Sequence, residues 1–375
     1  MKQILEQYSD PALSQKMMER VTTFAKKYKE KYNRPPVLME VCGSHTMAFA
    51  KTGIKKRLQE HVQLIAGPGC PVCVTDQKSI DSMIELTEGE NRIICTFGDM
   101  MRVPGSNENL LSYKTKGKDV RVVYSPLDAV KVAEMNPDKE VIFLGIGFET
   151  TVPILGAAIK QAVEKEVKNF TMWMTTKLVE PVLRTLLDSK NVKVDGFILP
   201  GHVSIVLGEE GYHYLVEDYS VPAVISGFQP VDLLSAISTM LEMLLAEEVK
   251  IMNGYKRIVT KKGNEHAQNM INTYFEPCNE AWRGIGVIKD SGFDLKDEYS
   301  RFNAKKKFHV KDVKVRKTKC RCGDVICGII SPEECVLFGK ACTPLNPIGP
   351  CMVSSEGSCA AHFNFMREEH ENGTN

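Results

Sequence analysis

The chain has 375 residues, of which 43% are hydrophobic and 25% are charged, and its formal net charge is +1. A chain of this length can bury a core without covalent staples, and its length predicts two or three domains. The near-neutral charge provides no overall field to hold nucleic acid or an anionic membrane. No run approaches the ~18 apolar residues of a membrane span, and the first ten residues do not resemble a signal peptide, so we expect a cytoplasmic protein.

The twelve cysteines are the unusual feature of the composition. A reducing compartment disfavours structural disulfides, so a cysteine-rich cytoplasmic chain indicates metal or redox chemistry. The positions of the cysteines relative to the predicted elements are therefore the main guide to function.

Helical spacing of apolar residues predicts a helix over 12–32, and short strands then alternate with amphipathic helices. The predicted strands are 37–42, 62–66, 92–97, 120–124, 140–146, 170–175, 195–199 and 221–226. The predicted helices between them include 76–88, 126–135, 152–166, 178–189 and 230–247. This alternation is typical of parallel α/β units.

The strand pattern predicts four segments along the chain. They are an N-terminal helical segment (1–36), an α/β domain (37–136), a second α/β domain (137–230), and a helical linker with a cysteine-rich C-terminal domain (231–375). A single larger sheet is the alternative to two α/β domains. Ligands of open parallel sheets lie beyond the carboxyl ends of the strands, so we expect the two α/β domains to face each other across a cleft.

The motif EVCGSHTM at residues 40–47 ends the first predicted strand. Cys42 and His45 together could form a nucleophile or a metal site, because the imidazole can deprotonate the thiol or hydrogen-bond to it. A structural role for both residues is the alternative. The motif GPGCPVC at 67–73 follows the second strand and precedes a helix. Cys70 and Cys73 can close to a disulfide, and a helix N-terminus would lower a thiolate pKa; half of a zinc site is the alternative.

Three further polar residues follow predicted strands: Asp99, Glu149 and His202. Each alone is an ordinary cap or turn residue, and their shared position after strands is what makes them candidate site residues. Cys95 lies inside an apolar strand, where we expect a core role. A GxG at residues 145–147 lacks the third glycine of a dinucleotide-binding motif, which argues against NAD.

Seven cysteines crowd into residues 320–359, where apolar residues are sparse and prolines interrupt any long helix. Such a segment needs a tether, and four thiolates around an iron–sulfur cluster would supply one. Structural zinc is the alternative, although zinc sites more often use two close cysteine pairs. The basic residues at 305–319, before this cluster, form either a solvated linker or a docking face for an acidic partner.

Together these motifs resemble the HypD family of hydrogenase maturation proteins. The resemblance runs from about residue 37 to 363 and keeps the same order of motifs. It rests on EVCGSHTM (40–47), GPGCPVC (67–73), GFETT (147–151), PGH (200–202), a Cys-x6-Cys-Thr-Pro string (335–344) and GPCMVSSEGSCAA (349–361).

The resemblance implies two α/β domains facing a cleft and a smaller iron–sulfur domain that holds a [4Fe-4S] cluster. It implies a scaffold for Fe(CN)2CO, a transient cargo, formed with the small chaperone HypC. Cyanide would come from a thiocyanate on the C-terminal cysteine of HypE, with HypF upstream. Whether the scaffold is also an enzyme, by transferring cyanide reductively to iron, is left open.

The resemblance also implies roles for single residues. Cys42 is similar to the iron-binding thiolate, and Cys70 and Cys73 are similar to a redox-active dithiol. The implied [4Fe-4S] ligands are Cys335, Cys342, Cys351 and Cys359. Proton transfer or hydrogen bonding to the cargo is expected of His45, Asp99, Glu149 and His202. No role is assigned to Cys320, Cys322 and Cys327, one of which could replace a ligand or form a local disulfide.

The second hypothesis is an iron–sulfur thiol–disulfide oxidoreductase similar to ferredoxin:thioredoxin reductase. It uses a cluster and the Cys70/Cys73 pair but gives no role to Cys42. A purely structural zinc scaffold is the third hypothesis. Infrared absorption of cyanide and carbonyl ligands separates the first two hypotheses, and the absence of brown colour would favour the third.

Overall fold

The predicted alternation of strands and helices is confirmed in a computed structural model, which describes residues 8–189, 192–311 and 314–366. The parts of the predicted segments at 1–7, 190–191, 312–313 and 367–375 lie outside the described residues. The strands are β1 (Val37–Glu40), β2 (Gln63–Ala66), β3 (Arg92–Thr96), β4 (Val120–Val122), β5 (Glu140–Gly147), β6 (Phe170–Thr176), β7 (Gly196–Pro200), β8 (Ala223–Ser226), β9 (Ile251–Asn253), β10 (Phe275–Trp282) and β11 (Gly286–Leu295).

The α-helices of the described residues are α1 (Pro11–Tyr32), α2 (Gly43–Lys51), α3 (Ile54–Leu58), α4 (Pro71–Val74), α5 (Gln77–Glu85), α6 (Leu110–Thr115), α7 (Pro126–Met135), α8 (Val152–Glu164), α9 (Val179–Ser189), α10 (Gly201–Leu207), α11 (Tyr214–Glu217), α12 (Pro230–Ala246), α13 (Glu265–Tyr274), α14 (Ala304–Lys307), α15 (Cys322–Ile326) and α16 (Ser358–Phe365). Short 3-10 turns follow several strands and precede α16. None of these helices is both long and apolar enough to cross a membrane.

Two parallel sheets form the α/β part of the described chain. The first sheet has the order β2-β1-β7-β8-β9, and the second has the order β4-β3-β5-β6. In the first sheet Met39 of β1 lies between Ile65 and Phe197. The buried strands are rich in β-branched and aromatic residues, as expected of parallel sheets that are covered on both faces.

The sheets do not follow the predicted division at residue 136. Strands β1 and β2 pair with β7, β8 and β9, so the first sheet combines residues from 37–66 with residues from 196–253. The second sheet, β3 to β6, is inserted between them along the chain. The strand pattern predicts each strand but not the pairing of β1 with β7, because that contact joins residues about 160 positions apart.

The hairpin of β10 and β11 was not predicted from the sequence. It is antiparallel and contains a bulge between Cys278 and Glu280, within the segment predicted as a helical linker. The turn of the hairpin contacts the segment after β2: the backbone N–H of Arg283 donates to the carbonyl of Val74 at 2.8 Å. Polar residues and glycines interrupt its hydrophobic alternation, which weakens the sequence signal of both strands.

One continuous cluster of buried apolar side chains joins the two sheets and the cysteine-rich tail. It contains Met39 of the first sheet, Ile142 of the second sheet, and Cys322 and Cys351 of the tail. Separate clusters cover the outer faces of the two sheets, one of them built by α1 and α12 against the first sheet. Each fully buried side chain of this kind contributes ~1.5–3 kcal/mol. The tail is therefore part of the main core.

A buried ion pair anchors the hairpin to the second sheet. Lys177 follows β6, is completely buried, and donates to Oε2 of Glu280 at 2.6 Å and to the carbonyl of Ala281 at 3.0 Å. Glu280 also pairs with Lys305 at 3.0 Å. Burial lowers the pKa of Lys177, and Glu280 opposes that shift.

We expect Glu280→Gln to lower the free energy of unfolding by about 3–5 kcal/mol, because it leaves the ammonium of Lys177 buried without a counter-charge. The urea unfolding midpoint measures this effect. The control is Asp128→Asn, which removes one partner of the exposed pair with Lys131 and should change stability by less than about 1 kcal/mol. Equal midpoints for the two variants would contradict the prediction.

Candidate functional site

Cys42 occupies the N-cap of α2, directly after β1. Its thiol is buried, and the backbone N–H groups of Ser44 and His45 at the start of the helix lie close enough to act on its pKa. Burial raises the pKa of Cys42 to about 11, the carboxylate of Glu356 raises it further, and the two N–H groups lower it. The thiol is thus protonated at neutral pH until a cation binds it, and the helix N-terminus then stabilises the thiolate.

The loop that carries the Cys-x-x-Cys motif contacts the backbone of Cys42. The N–H of Gly43 donates to the carbonyl of Gly69 at 3.1 Å. A Cβ at Gly69 would lie 2.4 Å from the Cα of Cys42, so only glycine permits this approach. The two loops follow the neighbouring strands β1 and β2, which explains why motifs about 25 residues apart meet.

Cys70 and Cys73 form a disulfide across the short helix α4. Cys70 is the N-cap residue, its sulfur accepts from the N–H of Cys73 at 3.2 Å, and Pro71 begins the helix. Both residues are buried. The sequence prediction that these two thiols can close to a disulfide agrees with this geometry, whereas their redox activity stays a prediction.

The tail reaches Cys42 through the loop 354–357. Oε1 of Glu356 accepts from the hydroxyl of Ser44 at 2.6 Å, and a Cβ on Gly43 would lie 2.5 Å from the Cβ of Glu356. Asp99, at the end of β3, accepts from the hydroxyl of Ser354 at 2.9 Å. The loop thus contacts residues after a strand of each sheet. Sequence reasoning missed Ser44 and Glu356 as site residues, although both lie inside the quoted motifs.

His45 and His202 both pack against Phe228, with ring centroids 4.7 and 4.2 Å from that of the phenylalanine. Nε2 of His45 donates to the carbonyl of Gly227 at 3.0 Å, and its buried Nδ1 has no partner among the described residues. Burial lowers the pKa of His45 to about 4 and also lowers that of His202, whereas Glu356 raises the pKa of His202. His45 is therefore neutral and keeps a free lone pair.

Glu149 lies apart from this group, after β5. Its Oε1 accepts from the N–H of Val179 at the start of α9, while its buried Oε2 has no partner in the described chain. Burial raises the pKa of Glu149 to about 7. Both Glu149 and Cys42 raise the pKa of the buried Tyr212, so this phenol lies within electrostatic range of both groups. Tyr212 was not singled out from the sequence.

The tail thiols contact one another in pairs. Sγ of Cys322 and Sγ of Cys351 are 2.7 Å apart. The sulfurs of Cys320 and Cys322 would both lie within 4 Å of a Cβ at Gly349, and Cys322 and Cys359 both raise the pKa of Cys351. Cys342 accepts from the N–H of Ile348 at 3.3 Å. Cys335 is also buried, and the charges of Cys335 and Cys359 act on the pKa of Cys342.

The four predicted ligands therefore lie in one region of the tail. Cys320 and Cys322 lie in the same region, and Cys327 belongs to the buried core next to it. Across the described ranges, no group of three or more His, Cys, Asp or Glu side chains is arranged to hold a metal ion. The chemistry of the donors nevertheless fits an iron–sulfur cluster, since thiolates are its protein ligands and at least six thiols are gathered here. Cys95 and Cys278 lie outside this group.

The disulfide lies next to the tail thiols. Helix α4 contacts both α15, which begins at Cys322, and the turn Pro350–Met352, which holds Cys351. Arg283 secures this junction, donating to the carbonyl of Thr75 at 3.0 Å and to the side chain of Gln77 at 3.3 Å. The tail thiols, the disulfide and Cys42 thus lie in neighbouring, contacting segments.

Comparison with known proteins identifies the family of the chain. The profile of the HypD family, described as "Hydrogenase formation hypA family", matches residues 13–366. The chain belongs to the HypD family. It is 40% identical to hydrogenase maturation factor HypD of Escherichia coli, over 98% of this chain and 99% of that protein.

Two other relatives match this chain along almost its whole length. A putative hydrogenase expression/formation protein of Methanocaldococcus jannaschii is 41% identical over 96% of this chain and 99% of its own. Hydrogenase maturation factor HypD of Cupriavidus necator is 39% identical over 97% of both chains. The similarity therefore covers both sheets and the tail, and the predicted resemblance to the family is confirmed.

The raised pKa of Glu149 predicts a pH-dependent stability. Below pH 4.5 the carboxyl is protonated in the folded and the unfolded chain, and between about 4.5 and 7 only the unfolded chain loses the proton. The stabilisation is thus present at low pH and is lost as pH rises through this window, by ~3 kcal/mol. We therefore expect the difference in unfolding free energy between wild type and Glu149→Gln, measured with urea, to change by this amount between about pH 4.5 and pH 7.

Glu149→Gln keeps the acceptor for Val179, so the comparison isolates the ionisation. The control is Glu60→Gln at an exposed carboxyl, for which the difference from wild type should stay constant with pH. A pH-independent difference for Glu149→Gln would show that the carboxyl titrates normally in the folded protein.

Proposed function

We propose that this chain is a [NiFe]-hydrogenase maturation factor that acts, together with HypC, as the scaffold on which Fe(CN)2CO is assembled. One observation carries the proposal: Cys42 is a buried cysteine at a helix N-terminus, its backbone packs against Gly69 of the loop that leads to the Cys70–Cys73 disulfide, and the adjacent Ser44 donates to Glu356 of the cysteine-rich tail. Its HypD-family relatives are named hydrogenase maturation factors, which supports the maturation role.

The cargo iron would bind Cys42. A soft thiolate suits low-spin iron, and the N–H groups of Ser44 and His45 compensate its charge. The thiol of Cys42 has a raised pKa and keeps its proton until iron binding displaces it. Nδ1 of His45 is a buried acceptor without a partner in the described chain, and His202 is exposed beside the same phenylalanine. These imidazoles would orient the cargo ligands through hydrogen bonds, since burial lowers the pKa of both and disfavours their protonation.

Cyanide release would use the dithiol. The reduced thiols of Cys70 and Cys73 supply two electrons and two protons and close to the observed disulfide. The thiocyanate on the C-terminal cysteine of HypE, loaded with the help of HypF, breaks its S–C bond. It yields a thiol and hydrogen cyanide, which binds the iron as cyanide and releases one proton. Two cyanide ligands require two such cycles.

A [4Fe-4S] cluster in the tail would be held by Cys335, Cys342, Cys351 and Cys359. When bound, such a cluster supplies electrons one at a time. The contact between the sulfurs of Cys322 and Cys351 gives a second arrangement, in which these two residues form a dithiol. Cys320, whose sulfur lies beside that of Cys322 next to Gly349, is then the alternative fourth ligand.

We expect Cys42→Ser to keep its fold and its tail cluster and to lose Fe(CN)2CO. A serine oxygen is a poor ligand for low-spin iron, so the infrared bands of bound cyanide and carbonyl should disappear from the anaerobically purified complex with HypC. Cys278→Ser, on the hairpin, is the matched control and should keep these bands. Persistence of the bands in Cys42→Ser would assign the cargo to another ligand. Their absence from wild type would favour the oxidoreductase hypothesis.

The tail prediction concerns bound iron and inorganic sulfide in the reconstituted protein. Serine variants of Cys335, Cys342 and Cys359 should each lose most of both, since a cluster rarely survives the loss of a thiolate ligand. Cys327→Ser should keep them. Comparing Cys351→Ser with Cys320→Ser identifies the fourth ligand. Full iron content in every variant would exclude a cluster in the tail.

A further inference from the structure

A strongly basic cavity of about 740 Å³ opens beside the tail thiols. Its wall is formed by the turn of the β10–β11 hairpin, the loop 104–107 and the segment 316–324. Five cationic side chains and a single carboxylate line it. The cations are Arg283, Arg316, Lys317, Lys319 and Arg321, and the carboxylate is Asp324.

Most of this positive charge is not neutralised within the described chain. Asp324 pairs with Arg321 at 2.7 Å. Arg316, Lys317 and Lys319 are exposed and form no ion pair with any described residue. The first part of the basic stretch differs, because Lys305, Lys306 and Lys307 pair with carboxylates. The uncompensated charge of the basic stretch therefore lies in its second part.

The same cavity exposes the redox-active part of the tail. Cys320 and Cys322 line it, and Cys320 is half-buried. From Cys322 the thiol contact continues to Cys351 at 2.7 Å. Arg283 forms the boundary towards the disulfide: it contacts residues 74–77, and its buried Nη2 has no partner among the described residues. The cavity thus gives a donor access to these thiols.

We propose that this basic cavity is the docking site of an acidic one-electron carrier protein that reduces the tail and the Cys70–Cys73 disulfide. The proposal rests on the proposed function, in which each cyanide released leaves one disulfide. Restoring the dithiol consumes two electrons and two protons, so two successive dockings of the reduced carrier are needed and the protons come from solvent. The net charge of +1 means that the positive field is local and orients the carrier at this face.

The test uses reconstituted full-length protein and a reduced plant-type [2Fe-2S] ferredoxin as the acidic probe, mixed anaerobically in a stopped-flow instrument. The variant is the triple charge reversal Arg316→Glu, Lys317→Glu and Lys319→Glu. We expect its second-order rate of ferredoxin oxidation to fall at least about tenfold at low salt. The wild-type rate should fall by a similar factor between about 20 and 500 mM salt, while the variant rate should change little.

The control variant reverses three exposed lysines of α1, Lys16, Lys26 and Lys27, and so changes the net charge equally. It should react with ferredoxin at close to the wild-type rate. Reduced methyl viologen, a small cationic donor, should reduce all three proteins and generate the thiols of Cys70 and Cys73, counted by alkylation and mass spectrometry.

Each outcome has a separate meaning. A triple variant that oxidises ferredoxin at the wild-type rate, or a control variant that loses as much rate, overturns the docking site. A triple variant that also fails with methyl viologen overturns it as well, because the basic residues would then be needed for the redox centre itself. Failure of the wild type with methyl viologen overturns the proposed redox function.

Discussion

Close contact between three backbone loops is the constraint on which the site depends. Gly69 lies against the Cα of Cys42, Gly43 lies against Glu356, and Gly357 lies against the carbonyl of Cys351. A Cβ at any of these glycines would approach its neighbour within about 2.2–2.5 Å, so a side chain there must separate the loops. The proximity of the isolated thiol, the disulfide and the tail is set by main-chain packing, which is stiffer than side-chain contact.

This close packing also determines the electrostatics. Exclusion of water raises the pKa of Cys42 to about 11 and lowers that of His45 to about 4, so neither group carries a charge at neutral pH without a ligand. A site of uncharged, buried donors disfavours a free thiolate but accepts a cation that displaces the proton. Such a site suits the binding of a soft metal better than general acid–base catalysis, for which a pKa near 7 is needed. Burial raises the pKa of Glu149 into that range, but its carboxylate accepts from the backbone of Val179 and not from the groups around Cys42.

The sequence predicted the local elements well and their assembly only partly. All eight predicted strands are present within a few residues, because buried parallel strands and amphipathic helices have strong periodic signals. The pairing of β1 with β7 was not predicted, since the inserted second sheet leaves no local trace in the residues that flank it. The β10–β11 hairpin was missed because its bulge and polar residues break the alternation.

The site shows the same limit. Cys42, Cys70, Cys73 and the tail cysteines were identified from residue type and spacing. Glu356 was not, because nothing local indicates that its carboxylate accepts from Ser44, 312 positions away. Phe228 and Tyr212 were missed for a similar reason: an aromatic residue after a strand or in a short helix is ordinary in sequence, and only the assembled fold places it beside a histidine or a carboxyl.

The loop between Cys351 and Cys359 connects the two halves of the proposed chemistry. Its two ends are candidate cluster ligands. In its middle, Ser354 is hydrogen-bonded to Asp99, and Glu356 is hydrogen-bonded to Ser44, which is close to Cys42 in the sequence. Because the loop is this short and its glycine is closely packed, a change in the position of either cysteine would displace Glu356, which is hydrogen-bonded to Ser44 beside Cys42. The negative charge of Glu356 raises the pKa of Cys42, so such a displacement alters how readily that thiol releases its proton. Under the proposed function, filling the tail with a cluster and loading iron at Cys42 would therefore be physically coupled through this loop.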